Sequence, residues 1–541
     1  MSEKGPSSGT PRSCFGAVSV TACIVLTGCG SADGPGSDAE ALGSLEQRIV
    51  ADGSWTRVVQ AFPGGRPSNV ALLTDGRILA CSQEKRNTWY TLIPDSFGNY
   101  AGGSWVQVAS SSQGRLFNPS FVLNDGRYVT CGGEYASVAD GAATADTSAC
   151  EIYDPVADSW RNTVDFPGDV EDTEAALLDD GTMLMLDHDS SAAAVLDPVS
   201  ATWREVAPYS RNAIRNEGGA VELPDGSVLA GWRSFSRYVP SSDSWFPTAP
   251  TPGTASGAFL STPTNNTLGE IGPILLLDGR VLVLGGSANN AFYTPPATAT
   301  GTGSWQPVAG TPTSGSIQLN FGDSPACVEP TGNVLAAGST DQNGAGTQGP
   351  PRFLEYQPGG DLWATVSDPN GTAINQAPNR VRLLVLPTGE IFVSGSTNGD
   401  VWLYNPAGSV RDDWRPTVTS ISPPIFGKIR VDGIQLNGVS NGADLGDDGK
   451  MSTNYPLVRM QSALHGGASY ARSFGFSSMT ARPDAPGSFW FDASKYLRRG
   501  IIILPDTFFM NVVVNGLAST SFIEIPETSL DVGPAIVAAL F

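Results

Sequence analysis

The sequence predicts an all-β chain, a seven-bladed β-propeller followed by an immunoglobulin-like β-sandwich. Three observations carry that reading. A tight-turn dipeptide recurs at Asp75-Gly76, Asp125-Gly126, Asp180-Gly181, Asp225-Gly226, Asp278-Gly279, Thr331-Gly332 and Thr388-Gly389, at intervals of about fifty residues. A leucine or tyrosine two residues ahead of a proline keeps the same phase, at Leu92, Tyr153, Leu196, Tyr238, Tyr293, Tyr356 and Tyr404. A tryptophan closes each unit, at Trp105, Trp160, Trp203, Trp245, Trp305, Trp363 and Trp414, and after the last the period stops.

One unit shows why the repeat reads as four strands. Ile274–Leu277 is an apolar run of strand length, Asp278-Gly279 supplies the turn, and Val281–Leu284 runs back to a double glycine. Phe292–Pro295 and Ser304-Trp305 then mark a third and a fourth strand. A four-stranded sheet cannot bury both faces alone, so such units stack radially, and a large aromatic in each fills the wedge between neighbours. A period near fifty residues is that of the kelch-type propeller. An eighth tryptophan, Trp55, precedes the first turn, so either its segment or that of Trp414 supplies the outer strand that closes the ring.

Composition narrows the function classes. With 541 residues, 63 glycines, 40 prolines and 40% hydrophobic residues, the chain is turn-rich β rather than disordered. A net charge of −22 argues against nucleic acid or an anionic membrane as a docking surface, and fits cationic or neutral partners or simply solubility.

The N-terminus sets the expected compartment. Lys4 and Arg12 precede an apolar stretch, Phe15–Leu26, too short to anchor across a bilayer. It ends in Leu26-Thr27-Gly28-Cys29, which resembles the bacterial lipobox. The expectation is a signal peptide over 1–28, a lipid on Cys29, a flexible tether over 29–52, and export to the bacterial cell envelope. An ordinary signal peptide with a chance cysteine is the alternative. Of the cysteines beyond Cys29, Cys131 ends the second strand of its unit and Cys150 begins the third, so a bridge between them fits an exported protein. Cys81, at the same place in its unit as Cys131, reads as a packing residue, and four buried thiols, Cys327 among them, remain the alternative.

The propeller is assigned to 53–416. Residues 417–527 contain alternating runs around Tyr455–Arg459, Ser469–Ser473 and Asn511–Asn515, which read as a separate immunoglobulin-like sandwich. Residues 528–541 are left as a tail.

With repeat and C-terminal module in place, the chain resembles bacterial kelch proteins of the galactose oxidase-like family. The likeness rests on Trp89–Asp95, Asp125–Arg127 with Gly132–Tyr135, Tyr153–Pro155, Glu270–Pro273, Asn454–Arg459 and Tyr470–Arg472. It implies that the C-terminal module is the early-set domain of that family. It also implies a copper held by two histidines and two tyrosines, one of them cross-linked to a cysteine, with a tyrosine–histidine pair on an innermost strand. Here the corresponding segments Ser68–Leu72, Asn118–Val122 and Arg380–Leu384 carry no histidine, and the chain has only His188 and His465, both read as solvated loop residues. Copper is therefore not expected.

The residues themselves offer another constellation. Nine positions before each turn glycine lies the start of the innermost strand, at one mouth of the channel. In four consecutive units that position is acidic (Asp172, Glu217, Glu270, Asp323), in the seventh it is Arg380, with Arg382 two residues on and so on the same side of the strand, and in the first two it is Pro67 and Phe117. Converging carboxylates suit calcium, a cationic or polyhydroxyl ligand, or a carboxyl with a raised pKa. Wet channel lining is the plain alternative. Glu134 and Tyr135, past a double glycine, form a secondary candidate on the same side.

Three functions fit these features: a non-catalytic binding or scaffold module for carbohydrate or protein, an oxidase-like or carbohydrate-active enzyme with a divergent site, and a purely structural envelope protein. The missing histidines and the lack of a nucleophile motif favour the first, as a monomer touching the membrane only through its lipid. Replacing Cys29 with serine is expected to move the protein from the membrane fraction to the soluble fraction of cells and to abolish incorporation of labelled fatty acid.

Overall fold

The computed structural model describes residues 53–525, apart from 137–145, 169, 171–172, 189, 210–217, 232–233, 253–258, 262–271, 345, 372, 447, 464, 498–507 and 521–522. The segments expected to be a signal peptide, a tether and a tail, with Cys29, therefore lie outside the described residues. The described residues belong to one compact unit. Among the described residues there is no α-helix, only antiparallel sheet and four short 3-10 turns.

The repeat becomes a series of four-stranded sheets. Sheet I contains Pro67–Leu72, Ile78–Ser82, Trp89–Ile93 and Ser104–Gln107. Sheet II contains Ser120–Val122, Tyr128–Cys131, Cys150–Asp154 and Ser159–Asn162. Sheets III, IV and V begin at Ala175–Leu177, Gly219–Glu222 and Pro273–Leu275 and end at Thr202–Glu205, Ser244–Pro247 and Ser304–Val308. Sheet VI begins at Ala326–Val328 and ends at Leu362–Thr365, and it gains two further strands, Gly442–Leu445 and Gly449–Ser452, on its first strand. Sheet VII joins Leu383–Val385, Ile391–Val393 and Trp402–Asn405 to Ser54–Arg57. The first strands of sheets III to VII lie side by side in order, and that of sheet I lies between those of VII and II.

The strand holding Trp55 therefore closes the ring, with Trp55 opposite Tyr404 in register. Trp414 does not close a unit. It sits in a 3-10 turn, Asp412–Trp414, under the Arg411 guanidinium at 4.7 Å and against the turn glycine Gly332. The outer edge of sheet VII is already occupied by the N-terminal strand, so the chain leaves the ring after Asn405.

The leucine-or-tyrosine and tryptophan landmarks meet as cross-strand partners. The registered pairs are Leu92–Trp105, Tyr153–Trp160, Leu196–Trp203, Tyr238–Trp245, Tyr293–Trp305, Tyr356–Trp363 and Tyr404–Trp55. They also clasp adjacent sheets. Tyr356 Oη donates to Asp361 Oδ1 at 2.6 Å, and the same carboxylate accepts the Ala309 N–H of the preceding sheet's exit at 2.7 Å. Trp363 Nε1 then donates to Ala309 O at 3.0 Å. The same three bonds recur at Tyr153–Asp158–Trp160 on Ala109 and at Tyr238–Asp243–Trp245 on Ala207. Asp158, Asp243 and Asp361 all have φ near +50°, a region aspartate tolerates better than most residues.

At each hairpin only the glycine takes the left-handed conformation, for example Gly76 at φ 80°, while Asp75 does not. That is why threonine can replace aspartate at Thr331 and Thr388. Arg77 and Arg127 extend two of these turns to the landmark prolines of the following sheets, donating to Pro155 O at 3.0 Å and Pro198 O at 3.1 Å.

Beyond sheet VII the chain builds two more sheets. One orders Thr417–Ile421, Lys428–Ile434, Pro486–Asp492 and Ser473–Phe474, and the other contains Ala468–Ala471, Leu457–Ser462, Phe508–Val514, Leu517–Ala518 and Ile523–Glu524. In Lys428–Ile434 buried and open positions alternate, so Ile429 and Val431 join Phe489, Phe491, Val458 and Val512 in one apolar cluster. This region lies against the ring through Thr480, which donates to Asp179 at 2.9 Å and Glu222 at 2.6 Å, and through Arg482, 3.0 Å from Asp179. Gly442–Ser452 leaves it altogether for sheet VI, which the sequence reading of a separate module over 417–527 does not anticipate.

Between sheets VI and VII lies a buried carboxyl pair. Glu329 accepts from Thr331 at 2.8 Å, and Glu355 accepts from Asn333 at 2.8 Å. Burial pushes Glu329 up to about 8, with the charge of Glu355 adding to the rise, and burial raises Glu355 as well. Folding thus favours the protonated pair.

Two outcomes follow. Asp361→Ala is expected to lower stability by about 1–2 kcal/mol, because it removes two hydrogen bonds, whereas Asp361→Asn recovers most of the loss; urea unfolding at pH 7 measures both. Because a raised carboxyl pKa means the native state holds a proton the unfolded chain has released, stability falls as pH rises from about 5 to about 8. Glu329→Gln is expected to make that fall shallower in unfolding midpoints measured from pH 5 to 9.

Candidate functional site at the channel mouth

The hairpin turns face the C-terminal sheets: a Cβ on Gly76 would strike Tyr470, on Gly332 Trp414, and on Gly516 the turn glycine Gly389. The segments that precede the first strands therefore gather at the opposite end, the mouth. The hairpin Gly442–Ser452 runs up the centre towards it, beside the first strands of sheets I, II, V, VI and VII. Lys450 is its buried charge. Its Nζ bonds Asp444 at 2.9 and 3.0 Å, Ala220 O at 3.0 Å and Gly446 O at 2.5 Å. Four acceptors replace the water the ammonium loses. The hairpin tip brings Asp448 to the mouth, where its carbonyl accepts the Asn118 N–H at 3.2 Å.

Of the mouth positions read from the sequence, Asp172, Glu217 and Glu270 lie outside the described residues. The others converge. Arg380, from sheet VII, lies 6.0 Å from the Phe117 ring of sheet II. Arg382 is 2% exposed, donates to Asn379 O at 2.8 Å and Val381 O at 3.0 Å, and feels the charges of Asp448, Asp323 and Arg380. Arg380 and Arg382 do not share one side of a strand. Pro378–Arg380 is a 3-10 turn and the strand starts at Leu383, so strand alternation does not reach them. Asp323 likewise precedes its strand, with φ 47°.

The secondary candidate joins the same mouth. Tyr135 packs edge-on against Phe117, with centroids 6.1 Å apart, and both have φ 52°, a costly region for aromatic residues. Tyr135 is 42% exposed, and Arg86 lies 5.7 Å from its ring while donating to its carbonyl at 2.8 Å. Glu134 is half-buried, and its carbonyl accepts the Leu116 N–H at 3.2 Å.

Sheet II holds this arrangement from below. Cys131 and Cys150 are direct cross-strand partners joined by a disulfide, at the roots of the two segments that carry Tyr135 and Glu151. Buried Glu151 bonds Arg115 Nη1 at 2.6 Å and the N–H groups of Ser112 and Gln113 at 2.7 and 3.2 Å, fixing the loop that ends at Phe117. Burial alone would raise the Glu151 carboxyl, but Arg115 and these donors hold it below its usual range. Gly133, at φ 109°, lets the two segments pass, since a Cβ there would lie 2.9 Å from that of Asn118.

Several mouth residues escaped the sequence reading. Asn118 donates to Thr130 at 2.6 Å and accepts from Asn69 at 3.2 Å. Asn69 and Arg382 both stand seven positions before their turn glycines, so the repeat contained that signal. Asp448 had none, because only the threading of the hairpin brings it there.

His465 is exposed, whereas His188 is buried at 1% exposure rather than solvated, on the tight loop where Asp187 accepts the Ser190 N–H. Among the described residues no group of three or more His, Cys, Asp or Glu could hold a metal. The described mouth residues offer two guanidinium groups, carboxylates and amides where copper needs imidazoles, so that set does not fit the metal.

No family model matches the chain, and no curated protein matches it. Solved structures do. A fungal alcohol oxidase of the AA5 family, in complex with copper, is 14% identical with a TM-score of 0.50, over 87% of this chain and 99% of that one. A streptogramin B lyase (9% identical, TM-score 0.43) spans 65% of this chain and 98% of its own. YCF48 bound to D1 peptide (16% identical, TM-score 0.43) spans 68% and 99%. The first likeness shows the fold alone, a β-propeller.

Proposed function

We propose that sheets I–VII are the seven blades of a kelch-type propeller, that 417–527 apart from the central hairpin is an immunoglobulin-like early-set domain, and that the protein is a lipid-anchored envelope module that binds carbohydrate at its channel mouth without catalysis. One observation carries the reading: Phe117, which with Tyr135 is held in a left-handed conformation, meets Arg380 from sheet VII, two sheets away around the ring. Left-handed aromatic residues cost about 1–3 kcal/mol each, and the surroundings hold them through a disulfide and a buried ion pair. An aromatic face bordered by charged and amide groups suits the apolar face and hydroxyls of a sugar ring. Asn69 Oδ1, Asn379 Oδ1 and Arg382 Nε are buried there without a protein partner, two acceptors and one donor. The acidic arc Asp172, Glu217, Glu270 and Asp323 would border the other side, where calcium is the metal its oxygens suit.

An oxidase-like enzyme is the competing reading, and one assay separates the two. Glycan binding by calorimetry, run beside peroxide release from sugars, alcohols and aldehydes with copper added, is expected to give saturable binding and no peroxide. Tyr135→Ala is expected to weaken binding roughly tenfold, the scale of one lost aromatic contact, with unfolding unchanged. Copper-dependent peroxide would sink the module and restore the oxidase.

A further inference from the structure

The most exposed large apolar side chain among the described residues is Phe426, at 98%, and its neighbour Ile425 is 53% exposed. They form the tip of the hairpin that joins Thr417–Ile421 to Lys428–Ile434. Ile425 and Lys428 exchange both backbone bonds, at 2.8 and 3.0 Å, and the two residues between them, Phe426 and Gly427, have φ of 49° and 80°. This is the two-residue turn in which both central residues are left-handed, where asparagine or aspartate ahead of glycine is the favoured choice. Phenylalanine is a poor residue for that backbone and a poor one for full exposure to water. The turn gains nothing from it.

The tip is rigid and its surroundings are basic. Gly427 is pressed against Ser494, and its carbonyl accepts the Ala493 N–H at 2.8 Å. Lys428 Nζ lies 5.1 Å from the Phe474 ring, which Arg472 also covers at 5.0 Å, and exposed Lys495 stands beside Ser494. Arg430 is offset by Asp432 at 2.8 Å, and Asp492 accepts the Ser494 N–H, so the local balance remains positive on a chain of net charge −22.

We propose that the Ile425–Phe426 tip inserts into the headgroup region of a lipid bilayer, with Lys428 and Lys495 on its anionic headgroups. Apolar insertion combined with cationic contacts is the usual composition of an interfacial membrane contact. The acidic body does not forbid it, because repulsion between separated charges is screened beyond about 8 Å at physiological ionic strength, whereas the tip touches directly. The contact does not depend on a lipid at Cys29.

Residues 47–541, a compact unit by themselves, test this without the anchor. Sedimentation with phosphatidylglycerol–phosphatidylethanolamine vesicles is expected to carry the wild-type unit down. Phe426→Asn is expected to lower the partition coefficient roughly tenfold, the scale of one large apolar contact, while raising the melting temperature, since asparagine suits the turn. Lys428→Glu with Lys495→Glu is expected to abolish the preference over phosphatidylcholine vesicles. Absence of vesicle binding by the wild-type unit, equal binding by Phe426→Asn, or saturable binding of a protein partner through the tip in place of lipid would overturn the proposal.

Discussion

A closed ring of sheets leaves a channel along its axis, and what fills that channel governs the rest of this structure. Here the plug is the hairpin Gly442–Ser452, taken from the C-terminal part of the chain and paired with the first strand of sheet VI. It carries a lysine into a place without bulk water. Lys450 is tolerable there only because Asp444, Ala220 and Gly446 converge on its ammonium. That convergence ties the plug to itself and to sheet IV as well as sheet VI, and it sets how far the tip projects. The mouth inherits its floor from this geometry, since Asp448 meets Asn118 and the field of Arg382 only at the height the hairpin reaches.

Two sets of contacts hold the ring itself, and both reach the turn between the third and fourth strands of the following sheet. The tyrosine–aspartate–tryptophan clasps fasten the exit of one sheet to the third and fourth strands of the next, and the arginine turns at Arg77 and Arg127 reach the prolines of the following sheet. These bonds are local to neighbouring sheets. The ring is assembled from pairwise fits rather than from a single core, which is the logic of repeat architectures. The last pairing draws on Ser54–Arg57 from the other end of the chain, so closure joins the two ends of the repeat and leaves sheet VII no open outer edge.

The mouth departs from the repeat where it is functionally interesting. Among the described residues, sheet II alone holds a disulfide, a buried Arg115–Glu151 pair and two aromatic residues in left-handed conformations. Sheet VII answers with arginines on a 3-10 turn rather than on a strand, because Pro378 fixes the backbone and delays the ladder to Leu383. The result is asymmetric, with aromatic and cationic groups from sheets VII and II on one arc.

The sequence by itself determined an all-β chain of repeated antiparallel sheets, because tight glycine turns and Tyr–Trp pairs are local signals that each sheet carries. It determined the Cys131–Cys150 pairing as an option and the poverty of imidazole. It also held the signal for Asn69 and Arg382, at matching places in the repeat. Only the tertiary structure decided which tryptophan closes the ring, that a C-terminal hairpin threads the channel, and that Phe117 meets Arg380. Those three facts join residues separated by dozens to hundreds of positions, and no local preference encodes such contacts. They arise when the sheets close and the one hairpin that can satisfy a buried lysine takes the space that remains.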